Sequence, residues 1–161
     1  MSKNLTVGAT PELNGSGQRI ALICARWNDV IVNRLENGAR EALVNAGVAE
    51  SDIVSITVPG ALEIPIAMKA ALATGTFDAA IALGVVLRGD TYHFEVVSNE
   101  SASGVMRVGL DSGQVVTNGI LTVDTEAQAD ERSADGPGNK GAEAAAAALE
   151  LLAVCEQLAV Q

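Results

Sequence analysis

The chain has 161 residues, 48% of them apolar and 2% aromatic, and sets 20 acidic against 10 basic side chains for a formal net charge of -10. That length suits one domain that buries its own core without disulfides or metal. The charge has the wrong sign for coating a phosphate backbone, which sets nucleic acid aside, and an anionic small molecule would need cations gathered locally against a repulsive field.

Residues 1–18, with Pro11 and three glycines at Gly8, Gly15 and Gly17, show little apolar periodicity and read as a flexible or partner-dependent arm. They lack the basic start and apolar core of a secretory signal. From near Arg19 a single domain is expected through residue 161. Residues 19–25 form a short apolar run, Asn28 is placed to cap, and Ile31, Leu35, Ala39, Leu43 and Ala46 follow at helical spacing until Gly47. The pattern repeats. A strand is expected over 53–58, a turn at Pro59-Gly60 into a helix that Gly75 stops, then a strand over 78–87 that is apolar nearly throughout, as a strand covered on both faces should be. A helix over 92–110, a strand over 114–123, a short helix over 125–133 and a long one from Lys140 complete the chain. Strands alternating with helices predict an α/β fold: a three-layer α/β/α sandwich on four parallel strands, flavodoxin-like in architecture.

Cys24 and Cys155 have no paired spacing and no neighbouring His, so they read as buried thiols of a reducing compartment and no metal site is expected. Residues 144–155, the most apolar stretch, are largely alanine, contain Glu150 and precede Glu156, which excludes a membrane span. A soluble, cytoplasmic protein is expected.

Open parallel sheets bind ligands beyond the carboxyl ends of their strands. The segments there are 26–28, 59–63, 88–93 and 124–132, and they hold the only Trp, the only His and the only Tyr of the chain. His93 either moves protons near neutral pH or is satisfied by its own helix. Trp27 either closes the core, the first reading, or offers a stacking face to a heteroaromatic ring. Glu63, in the first turn of a helix, either caps amides or accepts hydrogen bonds from a polyol. Gly89-Asp90-Thr91 leads into a helix N-terminus that can present donors to a phosphate, but the Asp90 carboxylate opposes an anion and demands compensating cations. Arg132 and Lys140 are the candidates, each otherwise a solvated surface charge. Gly136-Pro137-Gly138-Asn139-Lys140-Gly141 has dinucleotide-fingerprint spacing but lies between helices and is a loop.

Read in order, these segments resemble the lumazine synthase family over about residues 13–158. The resemblance rests on Arg26-Trp27-Asn28, Pro59-Gly60-Ala61-Leu62-Glu63-Ile64-Pro65, the run from Ala82 through Gly84-Val85-Val86-Leu87-Arg88-Gly89-Asp90-Thr91-Tyr92-His93 to Phe94, Asn118-Gly119-Ile120-Leu121-Thr122, Thr125-Glu126-Ala127-Gln128, Arg132 and Asn139-Lys140-Gly141. It implies an enzyme, a transferase of riboflavin biosynthesis, that joins a ribitylaminouracil to a four-carbon butanone phosphate without a cofactor. Trp27 would stack on the uracil ring, with Asn28 beside it. The Ala61-Leu62-Glu63 segment would hold the ribityl chain, Val85 with Val86 would line the pyrimidine pocket, and Gly60 and Leu87 would be further substrate-binding residues. His93 would shuttle protons. Gly89, Asp90 and Thr91 would meet the keto-phosphate, with Arg132 as its main cation and Lys140 in support. Asn118 would reach in from a neighbouring subunit, at a position where many relatives carry Phe, so a hydrogen bond replaces stacking there. The resemblance further implies homopentamers, gathered in some members into larger shells, with sites between subunits, the arm pairing with a neighbour, and riboflavin synthase as a functional partner. The competing readings are a non-catalytic flavin or lumazine carrier on the same fold, and a flavodoxin-like or receiver module. The module's phosphate cradle and acidic cluster are missing from the loop after the first strand.

Overall fold

The computed structural model describes residues 8–9 and 11–160, so residues 1–7 and 10 of the expected arm lie outside the described residues. Strand β1 (Ile20–Ala25) is buried along its whole length, and β3 (Ala79–Leu87) up to its last residue. By contrast β2 (Ile53–Val58) and β4 (Val115–Val123) mix buried and open positions. The sheet explains the difference. Its order is β2-β1-β3-β4 with every pair parallel, so the central strands are covered on both faces and carry continuous apolar sequence, while the edge strands alternate.

Among the described residues, five α-helices connect and cover the strands: α1 (Asp29–Asn45), α2 (Ile64–Ala73), α3 (His93–Ser112), α4 (Glu126–Ser133) and α5 (Lys140–Ala159). Helix α1 packs on α5 and α4, and α2 packs on α3. Right-handed crossovers put these groups on opposite faces when the strand order reverses once, here between β1 and β3. Ile20, Leu22, Ile23, Ile81 and Leu83 of the sheet, with Leu35, Leu43, Ile64 and Met68 of the helices, are fully buried between the layers. The expected α/β/α sandwich is borne out.

Local departures have local causes. Asn28 adopts the left-handed conformation at φ 59° and its side chain caps nothing; its backbone carbonyl accepts from the amides of Ile31 and Val32 at 3.0 and 3.1 Å instead. The helix expected after Pro59-Gly60 divides into a single 3-10 turn, Ala61–Glu63, and α2, with a proline in the first turn where its missing N–H costs nothing. Cys24 is buried, but Cys155 is exposed on α5, contrary to expectation. Burial, followed by the nearby Glu36 carboxylate, pushes the Cys24 thiol well above its usual range, which leaves it inert.

Part of the segment before β1 lies along its own chain. Leu13 packs against the core, the Gly15 amide donates to the Ala46 carbonyl at 2.7 Å, and Gln18 Nε2 donates to Glu156 Oε1 at 2.9 Å. Among the described residues, no helix is long and apolar enough to cross a membrane.

Candidate active site

Beyond the carboxyl ends of β1 and β3, where the strand order reverses, lies a crevice of about 310 Å³. It is lined by Ala25, Trp27, Asn28, Gly60, Ala61, Leu62, Glu63, Val85, Val86, Leu87, His93 and Val97. Such a switch point is where open α/β sheets take their ligands, because neighbouring loops part there. Trp27 is 64% exposed, which overturns the core-closing reading. Its ring stands against the backbone of Gly60, where an added Cβ would come within 3.2 Å of both Trp27 Cε3 and Glu63 Oε2. Glycine therefore lets the ring and the carboxylate approach. The amides of Arg26 and Trp27 donate to the carbonyls of Val58 and Pro59 at 2.8 and 3.3 Å, fastening this loop to the end of β2. Glu63 makes no capping hydrogen bond, so its carboxylate stays available to the crevice. Val85 and Val86 are buried and supply an apolar wall.

His93 opens α3, and its amide donates to Thr91 Oγ1 at 3.4 Å, a weak contact. Gly89, Asp90 and Thr91 are exposed immediately before it.

Arg132, Lys140 and Asn118 lie elsewhere. They line a second groove, about 560 Å³, along β4 and α5, and among the described residues none lines both that groove and the crevice. One chain thus brings Trp27, Asn28, residues 60–63, residues 85–87 and His93 together, and separately Asn118 with the two cations. Arg132 is half-buried, and its hydrogen bonds among the described residues run through Nη1 alone, to the Gln128 carbonyl at 3.0 Å and Glu131 at 3.5 Å. Lys140 Nζ is paired with Glu143 at 2.5 Å, so Arg132 is the less neutralised of the two. Asn118 Oδ1 accepts from the Ile120 amide at 2.9 Å, which commits its acceptor to its own strand.

Comparison with known proteins decides the assignment. Residues 17–156 match the family model described as 6,7-dimethyl-8-ribityllumazine synthase. Proteins of that name from Ralstonia pickettii and Cupriavidus metallidurans are each 48% identical over 139 residues, 86% of this chain and 81% and 80% of theirs. That from Paraburkholderia phytofirmans is 47% identical over 141 residues, 88% of this chain and 82% of its own. The chain belongs to the 6,7-dimethyl-8-ribityllumazine synthase family. The resemblance read from the ordered motifs is thereby borne out.

Sequence reasoning named Asn139 only within a motif and missed its role in setting the geometry of this lumazine synthase family member. Asn139 is 2% exposed, and its Oδ1 accepts from the amides of Gly141 and Ala142 at 2.9 and 3.1 Å, capping α5. Its Nδ2 donates to the carbonyls of Arg34, Ser133 and Ala134 at 3.1, 2.9 and 3.3 Å. One side chain thus locks the end of α4, which carries Arg132, to the start of α5, which carries Lys140, and both to α1. The tight fit demands small neighbours: a Cβ on Gly38 would strike the Asn139 amide, and one on Gly141 would overlap the Leu35 carbonyl. The available signal was an Asn directly before a long helix, an N-cap pattern that the glycine-rich loop around it obscured.

Proposed function

We propose that the chain condenses 5-amino-6-(D-ribitylamino)uracil with 3,4-dihydroxy-2-butanone 4-phosphate to 6,7-dimethyl-8-ribityllumazine, releasing phosphate and water. The observation that carries the reading is Trp27, an exposed indole over Gly60 in a crevice that also holds Glu63 and His93. A stacking face, an apolar wall and an uncommitted carboxylate suit a planar ring with a polyol tail. His93 stands where it exchanges protons as the amine condenses with the ketone to an imine with loss of water, phosphate is eliminated to leave an enol, the enol tautomerises to a ketone, and the second amine attacks that carbonyl and expels water to close the ring. Residues 89–91 and Arg132, with Lys140 in support, receive the phosphate.

The separation of crevice and groove on one chain supports a site completed between subunits. Asn118, Arg132 and Lys140 line a groove at the outer edge of the sheet, where β4 has no further strand beside it among the described residues, and that edge is available to a neighbour's crevice. We assign a homopentamer in the cytoplasm, with residues 1–18 as the arm and riboflavin synthase as the consumer of the product. Catalysis is mainly positional: holding two reactants in register supplies on the order of 7–11 kcal/mol, and general acid–base help adds about 10²- to 10⁴-fold.

Absorbance tests the assignment directly. Purified protein mixed with both substrates should produce the lumazine chromophore and phosphate well above the spontaneous background. Tight binding of the product with no acceleration would instead identify a carrier.

A further inference from the structure

Arg88, the residue that follows β3, has no role in the reading above. Its Nε donates to Asp124 Oδ1 at 2.6 Å, its Nη1 donates to Glu95 Oε1, and its guanidinium carbon lies 4.1 Å from the centre of the Phe94 ring. Its own amide donates to the Val123 carbonyl at 3.0 Å, and the Asp124 amide donates to Gln128 Oε1 at 2.8 Å. One side chain therefore joins the end of β3, the end of β4 and the first turn of α3. Between its attachment points lie residues 89–93, all exposed, in which the His93 amide reaches only Thr91 Oγ1.

We propose that Arg88 is a positioning residue for the known reaction, clamping the base of the 89–93 loop so that the His93 imidazole and the amides of residues 89–91 keep a fixed placement. Two carboxylates bracket the single cation, so its field is spent locally and offers little to a phosphate. The same contacts hold the Glu95 carboxylate below its usual range, the Arg88 hydrogen bond first among the causes. The side chains of the cluster are 45%, 32% and 59% exposed for Arg88, Glu95 and Asp124, and ion pairs so exposed contribute little to global stability. Their effect is on local geometry. Lysine, a point charge without a planar fork, cannot pair two carboxylates while stacking on Phe94.

The proposal rests on the catalytic reading of His93, and the test separates the two. Arg88→Met, Arg88→Lys, His93→Ala and the Arg88→Met/His93→Ala double variant are compared in the full-length assembly for kcat, both KM values and Tm. Because the chain has one histidine, a selectively labelled imidazole gives a single NMR signal in tag-free protein. Arg88→Met should lower kcat about tenfold or more, shift or broaden that signal, and leave Tm nearly unchanged. In the His93→Ala background the same substitution should cost several-fold less, and Arg88→Lys should not restore the rate. A rise in keto-phosphate KM with kcat and the imidazole signal unchanged, largely restored by Arg88→Lys, would make Arg88 a substrate cation and overturn the proposal. So would an unchanged imidazole signal, or a rate loss that only tracks a fall in Tm. If His93→Ala runs at the parental rate while Arg88→Met still moves the imidazole signal, the catalytic reading of His93 falls and the positioning role stands.

Discussion

The crevice at the switch point and the groove on β4 are built by different means. The crevice is made by the sheet itself: Ala25 and residues 85–87 are strand termini, and the loops carrying Trp27 and residues 60–63 are stitched to each other through backbone hydrogen bonds. The groove has one strand for a wall, and its cations come from two helix ends held in register by one buried amide, Asn139. Apolar recognition is therefore secured by the core of the fold, whereas charge recognition hangs on a single capping side chain. The crevice has a face for a ring but no cation among its lining residues, and the groove has cations but no aromatic face. On our assignment, neither is a site until a second copy supplies the other half.

The largest effect that would sharpen this contrast is at the groove. Arg132→Ala removes the less neutralised of the two cations, and the keto-phosphate KM should rise about 10²-fold, the cost of a charge-assisted contact, while the KM for the ribitylaminouracil moves less than about twofold. An unchanged keto-phosphate KM would put the anion site elsewhere. Mixing comes next. Subunits of Trp27→Ala and Arg132→Ala, dissociated and reassembled together, should regain about a quarter of the native rate, because a heterologous interface pairs an intact crevice with an intact groove in that share of random contacts. Mixed assemblies that gain nothing would mean that each chain completes its own site.

Asn139→Ala tests the capping claim. It removes the α5 cap and strands three carbonyls, with an expected loss of about 3 kcal/mol in denaturant unfolding. The surviving folded enzyme should show a raised keto-phosphate KM and normal affinity for the ring substrate. If both affinities fell together, the crevice and groove would not be independently built.

How legible these regions were in the sequence follows the same division. The strand over 53–58 coincides with β2, and the other three strands start one residue after the expected position, because buried parallel strands write themselves as continuous apolar runs between turn residues. The rule that open parallel sheets bind ligands beyond the carboxyl ends of their strands then pointed to three of the loops that line the crevice, since it depends only on where strands end; which two strands part there needed the strand order. What periodicity could not show was direction and distance: that Trp27 faces outward, that Asn28 is left-handed with an idle side chain, or that Arg132 lies off the crevice. The joint between α1, α4 and α5 was equally hidden. Asn139 bonds across 105 residues to the Arg34 carbonyl, and no local pattern encodes such a contact. Motif order supplied the chemistry that composition left open between an enzyme and a carrier.

The smallest expected effect isolates the crevice. Trp27 is mostly exposed and touches the backbone of Gly60, so replacing it removes little from the core, and Trp27→Phe should change stability by no more than about 0.5 kcal/mol. A phenyl ring keeps a stacking face of smaller area, which predicts a rise of about three- to tenfold in the dissociation constant for the ribitylaminouracil, equivalent to roughly 1 kcal/mol of aromatic contact. The keto-phosphate KM should stay where it was. Fluorescence of the single indole offers an independent readout in the parent protein: ring binding should quench it, while inorganic phosphate, on its own and directed to the groove, should not. Quenching by phosphate alone would place the anion beside Trp27 and erase the distinction between the two regions.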